Sequence, residues 1–416
     1  MISAGLLGLF VFLGLAWLLS EDRRRFPWRT VLAGLALQLL FACLILRTDP
    51  GHAFFSGLDH AFRVLLGFAE QGTAMVFGPL ADPALLRERL GKGHAFIFVI
   101  TVTGTMVLVS ALSAMLFHYG ILQRIVRSIA WVMRRSMGTS GTESLAAAAN
   151  IFMGQAEAPL VVRPWLASMT RSELLSLMVG GMATIAGGVL AAYIGFGIPA
   201  GHLLTASVMS APAALLMAKI LLPETGRRAI DPTAPADSAD APVNGLDALC
   251  RGAHEGLVLA GRVMAVLIAL VACVALANHL LSLLLAQIGI VEATPLQSAF
   301  GWLNAPFAWL MGVPWQDCRA VGALLGERIV LNELVAYLHL SGQMQQAGTL
   351  EPRSAVIATY ALCGFANFAS VAIQVGCLGA LVPERRGELA RLGLRAMIGG
   401  LLACYLTACI AGLLTP

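Results

Sequence analysis

Residues Gly138–Pro164 read GTSGTESLAAAANIFMGQAEAPLVVRP. The stretch is apolar enough to enter a bilayer, yet glycine and polar side chains break it at its centre. Two apolar pieces flank GQAEAP, and each is too short to cross a hydrocarbon core of roughly 30 Å alone. Irregular backbone at membrane depth is tolerated only where it lines protein or a wet cavity. The pattern therefore predicts a re-entrant helical hairpin, and residues 173–198 follow it as a span interrupted at Thr184–Gly188.

The same order recurs further along. Gly322–Leu340, which contains GERIVLNELVAY, is a second broken segment, and Ala355–Leu381 carries the polar run GFANFAS at mid-depth. If all the basic loops lie on one side, the two copies enter from opposite faces. Inverted repeats whose discontinuous helices meet near the midplane are the pattern of secondary transporters.

The rest of the chain agrees with a bilayer. Of 416 residues, 58% are hydrophobic and only 12% charged, with a mean hydropathy of +0.81. A soluble domain carries about 25% charged residues, so a large soluble enzyme, a disordered chain and a secreted disulfide scaffold are excluded. The eight cysteines form no CxxC pair, which gives neither a zinc nor a disulfide framework. The net charge of +4 is spread over short basic clusters between apolar runs. Such clusters mark cytoplasmic loops rather than a nucleic-acid surface.

These signals predict an all-α polytopic membrane protein with eight transmembrane helices, two re-entrant hairpins in an inverted repeat, and interfacial helices. Residues 1–137 are read as scaffold spans one to three with interfacial helices, the spans being Ile2–Leu19, Thr30–Leu46 and His94–Tyr119. Residues 51–90, with Pro79, Pro83 and scattered charges, are read as an interfacial helix and connector. The basic amphipathic stretch Ile121–Ser136 is read as another interfacial helix. Residues 138–222 hold the first hairpin, broken span four and span five, and 223–250 form a flexible cytoplasmic loop. Residues 251–318 carry long span six and a Trp-bearing interfacial helix. The second hairpin and broken span seven occupy 319–381, and a basic loop with span eight occupies 382–416. Basic loops after spans one, three, five and seven then share the inner face, with both termini outside the inner membrane.

Carboxylates in the bilayer cost about 2.5–3.5 kcal/mol even on a lenient scale. Glu157 and Glu333 sit at the centres of the two hairpins, beside Asn150, Gln155 and Asn332. Either each is neutralised internally, by Arg163 or Arg328, or it serves a substrate or ion. No Arg lies at either tip, which disfavours an anionic substrate. A neutral polyhydroxyl or heterocyclic solute fits, because a carboxylate accepts two hydroxyl protons at once. The eight His residues are dispersed without ligand spacing, so an enzyme is not expected. The polar residues concentrate at two breaks rather than along a continuous channel pore.

Four segments in register, GTESLAAAANIFMGQAEAPLVVRPWL, MATIAGGVLAAY, LNELVAY and LCGFANFASVAI, closely resemble the signature segments of the concentrative nucleoside transporter family, bacterial branch. The resemblance implies a homotrimer in membrane lipid, each protomer importing a nucleoside such as uridine by cation symport through an elevator-like domain, with no nucleic-acid partner. It places Gly154, Gln155, Glu157 and Val189 at the nucleobase, Glu333, Asn367 and Ser370 at the ribose hydroxyls, and Phe365 near the base. It implies a sodium site from Asn150, Thr184 and the carbonyls of Met153 and Ile185, with no other cofactor. Oxygen-only ligation suits a hard, weakly bound cation. Proton coupling, and transport of another neutral solute such as a free nucleobase, remain the alternatives. Ala156 stands where most relatives carry a hydroxyl residue, which leaves the pyrimidine/purine preference open.

Overall fold

A computed structural model describes residues 2–90, 97–226, 242–290, 292, 294–346 and 348–415. The chain opens with helices α1 (Ile2–Leu18) and α2 (Trp28–Leu46). Helix α3 (Asp49–Phe77) follows, then α4 (Pro83–Leu90). The sequence reading divides 51–90 into short pieces, whereas the structure winds Asp49–Phe77 into one 29-residue helix. Its polar face has a task. Asp59 accepts the Ala200 N–H at 2.9 Å and so caps a later helix.

Helix α5 (Phe98–His118) bends by 75° into α6 (Ile121–Met137). Gly120, at φ +73°, makes the corner, because a left-handed backbone costs glycine nothing. The basic face of α6 is thereby turned away from the span axis. Next come α7 (Gly141–Ala149), α8 (Ala158–Val161), α9 (Arg171–Ala183), α10 (Gly187–Gly195) and α11 (Ala200–Leu221). Helix α12 (Gly245–Ala286) is capped by Asn244, whose side chain accepts the Asp247 N–H at 2.9 Å. It begins inside the stretch read as loop, and the remainder of that loop, 227–241, lies outside the described residues. At 42 residues it is about 63 Å long, twice a hydrocarbon core.

The chain closes with α13 (Pro295–Leu310), α14 (Trp315–Val330), α15 (Glu333–Gln345), α16 (Pro352–Leu362), α17 (Phe368–Leu381) and α18 (Arg386–Leu414). Helix α13, read as interfacial, packs closely on α14. A Cβ on Gly322 would lie 2.5 Å from the Gly301 carbonyl, and one on Gly326 would meet Phe300. Small residues at such crossings bring helix backbones together, as is common in membranes.

Among the described helices, six are long and apolar enough to cross a bilayer, or seven if the α5–α6 pair counts as one. Eight spans were read from the sequence. The two sets differ at three places: α1 has 17 residues, the stretch 355–381 is divided into α16 and α17, and Asp59–Leu86, read as an interfacial helix and connector, is itself among the six. Burial separates two classes of helix. The α9–α10 segment and α11 are almost wholly enclosed, whereas α12 exposes Leu257, Ile268, Val271, Leu280 and Leu284.

Three of the basic loops, with the first residues of the fourth, meet at one end. Glu21 in the α1–α2 loop donates its N–H to the Leu221 carbonyl and pairs with Arg395 of α18. Arg29 at the start of α2 reaches the Arg135 carbonyl at 3.1 Å. Both ends of 140–170 also gather there around Lys219. Its ammonium lies 2.7 Å from Glu143, 2.9 Å from the Ser172 hydroxyl and 3.2 Å from Glu224, which also accepts from Thr170. The segment therefore turns back on itself. Residues 315–351 do the same at the far end of α18. There Asp317 accepts the Glu351 N–H at 3.0 Å, and Arg353 donates to the Gly412 carbonyl at 2.6 Å. The two fold-backs thus have their bases at opposite ends of a 29-residue helix.

Candidate functional site

Each broken element stops for a local reason. Helix α7 ends at Asn150, and 150–157 form irregular turns before Pro159 sets the first turn of α8. Helix α9 ends at Thr184, whose backbone is extended (φ −121°, ψ 169°), as is that of Ala186. The last carbonyls of α9 are thereby released from intrahelical donors. The two breaks lie against each other: Gly187 donates its N–H to the Phe152 carbonyl at 3.1 Å, and a Cβ on Gly154 would sit 3.0 Å from that of Ala186.

Asn150 and Thr184 converge on Gly180. Thr184 donates its hydroxyl to the Gly180 carbonyl at 2.9 Å, and a Cβ on Gly180 would lie 2.9 Å from Asn150 Nδ2. Asn150 Nδ2 donates to the Ala146 carbonyl, but its Oδ1 is buried without a hydrogen-bond donor. A buried orphan acceptor costs about 1–3 kcal/mol. An oxygen-ligated cation would relieve it, since the Thr184 hydroxyl has spent its proton and presents lone pairs. The chemistry of this donor set fits sodium. Ile185 is fully buried in the break and Met153 partly so.

The second pair breaks at 331–332, between α14 and α15, and at 363–367, between α16 and α17. Asn332 caps α15 by accepting the Val335 N–H, and Asn367 caps α17 by accepting the Ser370 N–H at 2.8 Å. Capping spends the oxygen of Asn367 and leaves its Nδ2, which donates to Glu333 Oε2 at 3.0 Å. The other carboxylate oxygen accepts the Tyr193 hydroxyl at 3.1 Å. Glu333 is thus buried between two neutral donors, with lone pairs remaining on both oxygens. Arg328, an alternative neutraliser on the sequence, does not pair with it; its guanidinium binds the Ala361 carbonyl and Cys404.

Gln155 lies across Gly181, where a Cβ would come within 2.8 Å of Gln155 Cβ and 2.5 Å of Gln374 Nε2. The Oε1 atoms of both amides are buried without donors. Val189 is buried on α10, and Phe365 and Ser370 are buried at the second break. Glu157 stands apart. It is accessible, accepts the Gly154 N–H at 3.2 Å, and makes no ion pair with Arg163.

Two residues of this constellation are absent from the sequence reading. Tyr193 ends the quoted segment MATIAGGVLAAY, one helical turn beyond Val189. Gln374 lies one turn beyond Ser370, on the face that Asn367 and Ser370 share. A search for polar residues at i+4 from each assigned position finds both.

Two fold-backs with opposed bases, two broken helices, and unfilled acceptors at their crossing define a helical membrane transporter. The chain matches the family models described as "Na+ dependent nucleoside transporter N-terminus" over residues 7–80, "Nucleoside recognition" over 99–200 and "Na+ dependent nucleoside transporter C-terminus" over 202–412. It is 40% identical over 410 residues to "Uncharacterized transporter YutK" of Bacillus subtilis, covering 98% of both chains. It is 39% identical over 421 residues to "Sodium/nucleoside cotransporter 1" of Mus musculus, covering 98% of this chain and 63% of that one. The solved structure of CNTnw in an inward-facing substrate-bound state superposes with a TM-score of 0.94 at 38% identity, covering 100% and 98% of the chains. The protein belongs to the concentrative, Na+-dependent nucleoside transporter family, a family of transporters and not of enzymes.

Proposed function

We propose that this protein imports nucleosides by sodium symport. The observation that carries the reading is the orphan Asn150 Oδ1 at the crossing of the two first-repeat breaks, beside the tip that bears Gln155. A cation bound to Asn150, Thr184 and the carbonyls of Met153 and Ile185 orders that tip. Gln155 and Glu157, with Gly154 and Val189, then receive the nucleobase. An amide and a carboxylate together match its mixed donor and acceptor edge. Glu333, already fixed by Tyr193 and Asn367, accepts the ribose hydroxyls, with Ser370 beside it and Phe365 supplying an apolar face.

The substrate is neutral, so the ion alone carries charge. One cation falling through 100 mV supplies about 2.3 kcal/mol, enough for roughly 50-fold accumulation. Alternating access by an elevator-like movement of the two broken repeats against α5 and α12 suits the contrast in burial between them. A homotrimer in the inner membrane, basic loops inward and both termini outward, is part of the same reading. The exposed apolar face of α12 is available for lipid or for another protomer.

Uptake of labelled uridine into proteoliposomes tests the reading. Accumulation under an inward sodium gradient, lost when choline replaces sodium, is the expected result. Uptake that ignores sodium but follows an acid-outside gradient would move coupling to protons. Competition by free nucleobases as strong as by nucleosides would remove the ribose role of Glu333, Asn367 and Ser370.

A further inference from the structure

Arg328 lies in the last turn of α14 and is fully buried. Among the described residues no carboxylate comes within 4.0 Å of it. Its Nη1 donates to the Ala361 carbonyl, its Nη2 lies 3.2 Å from Cys404 Sγ, and its Nε has no partner. An enclosed guanidinium with no carboxylate in contact is a costly group. What faces it is a set of dipoles. Helix α16 ends at Leu362, and its final carbonyls, the negative end of the helix dipole, converge there. Hairpin two and α18 take those carbonyls one by one: Tyr337 donates to Thr359 O at 2.7 Å, Arg328 to Ala361 O, and Cys404 to Cys363 O at 3.1 Å.

We infer that Arg328 is a tethered cation that closes the C-terminal end of α16, and so positions Asn367 against Glu333. The first repeat makes the comparison. At the end of α9 no guanidinium arrives, and Asn150 Oδ1 stays unfilled beside the released carbonyls. On the proposed function, a mobile ion comes and goes at that break, and this parallel rests on that reading. At the second break the positive charge is part of the chain and stays. The residue acts through the 363–367 backbone and touches no substrate. The two breaks are also joined, because Cys404 Sγ lies 3.7 Å from the Ala183 carbonyl, next to Thr184. A Cβ on Gly364 would meet both the Met182 carbonyl and Cys404 Sγ.

The test compares Arg328→Lys, Arg328→Gln and Arg328→Met with the native protein. Two readouts are uridine uptake at saturating sodium and peptide-resolved alkylation of Cys363 by N-ethylmaleimide. Cys363 is fully buried beside the break, and exposed Cys250, near the polar start of α12, serves as internal reference. Arg328→Lys should keep uptake efficiency within about threefold and leave Cys363 protected. Arg328→Gln and Arg328→Met should raise the half-saturating uridine at least 30-fold and label Cys363 at least tenfold faster, with half-saturating sodium unchanged within twofold. Native uptake and protection in Arg328→Gln would overturn the proposal, because charge would then be dispensable. So would an Arg328→Lys protein that melts like the native one yet labels as fast as Arg328→Met. If the neutral variants do not fold, Arg328→Lys decides alone by the same two readouts. Absence of uridine uptake by the native protein would count against the substrate reading, while Cys363 labelling would still decide the role of Arg328.

Discussion

The two broken repeats have similar outlines and different states of satisfaction. At the first, Asn150 Oδ1 and Gln155 Oε1 are buried without donors, and Glu157 is accessible. At the second, both oxygens of Glu333 are engaged, and the end of α16 is closed by Tyr337, Arg328 and Cys404. Gln374 Oε1 of the second repeat is unfilled too, but it faces the first repeat across Gly181; around Glu333 and the end of α16 the second half is preorganised, while the first awaits something from outside the chain. Preorganisation lowers the ordering cost of binding, whereas an unfilled acceptor makes order conditional on its ligand. On the proposed function, symport uses that asymmetry: a fixed grip for the solute and a grip that an ion completes.

Four experiments break or sharpen this contrast. The largest effect is expected at the closed half. Glu333→Gln keeps the shape but turns a charged acceptor into a neutral one beside Tyr193 and Asn367. Hydrogen bonds to charged groups contribute about 1.5–3 kcal/mol each, so with two hydroxyls at stake uptake efficiency should fall by roughly 10²–10⁴. Uptake kinetics in proteoliposomes check this, and an unchanged half-saturating uridine would remove Glu333 from the ribose.

Next comes the clasp at the base of the first fold-back. Lys219 and Glu143 are 2.7 Å apart and nearly enclosed. Breaking one partner of a buried pair costs about 3–5 kcal/mol, so Lys219→Met should lower the melting temperature in detergent. Lys219→Met combined with Glu143→Gln should recover part of that loss, because the charge left behind is the less enclosed Glu224, which keeps its bonds from Thr170 and Gly226.

The open half predicts a smaller and more selective change. Asn150→Ala should raise half-saturating sodium about tenfold and weaken uridine binding at fixed sodium. Asn367→Ala should weaken uridine binding even when sodium saturates. Equal sodium dependence in the two variants would erase the distinction between the halves.

Smallest is Ala156→Thr at the first tip. A restored hydroxyl adds about 0.5–1.5 kcal/mol to one class of base. The ratio of uridine to adenosine uptake should shift by about 2- to 10-fold, measured by competition.

Legibility in the sequence followed the range of the interactions. Polar residues inside apolar runs are costly wherever they fall, so the hairpin centres, Glu157, Glu333 and the cap residues Asn150 and Asn367 stand out without coordinates. The 29-residue course of α3 was hidden because its apolar pieces join only when wound at helical spacing. Tyr193 was hidden because its partner, Glu333, lies 140 residues away. The partners of Arg328 were hidden for a related reason. Five residues from Glu333, it invites an ion pair on paper, but the break at 331–332 turns the two side chains to different neighbours.

The sequence by itself determined the class of solvent, the four breaks and the side chains gathered at them. Those follow from composition and from local backbone preference, which act over a few residues. Only the tertiary structure decided which acceptors are filled and which wait, since that depends on helices from one repeat crossing those of the other. A hydrogen bond counts at about 3 Å, and no pattern along a chain specifies distances of that order between residues more than a hundred positions apart.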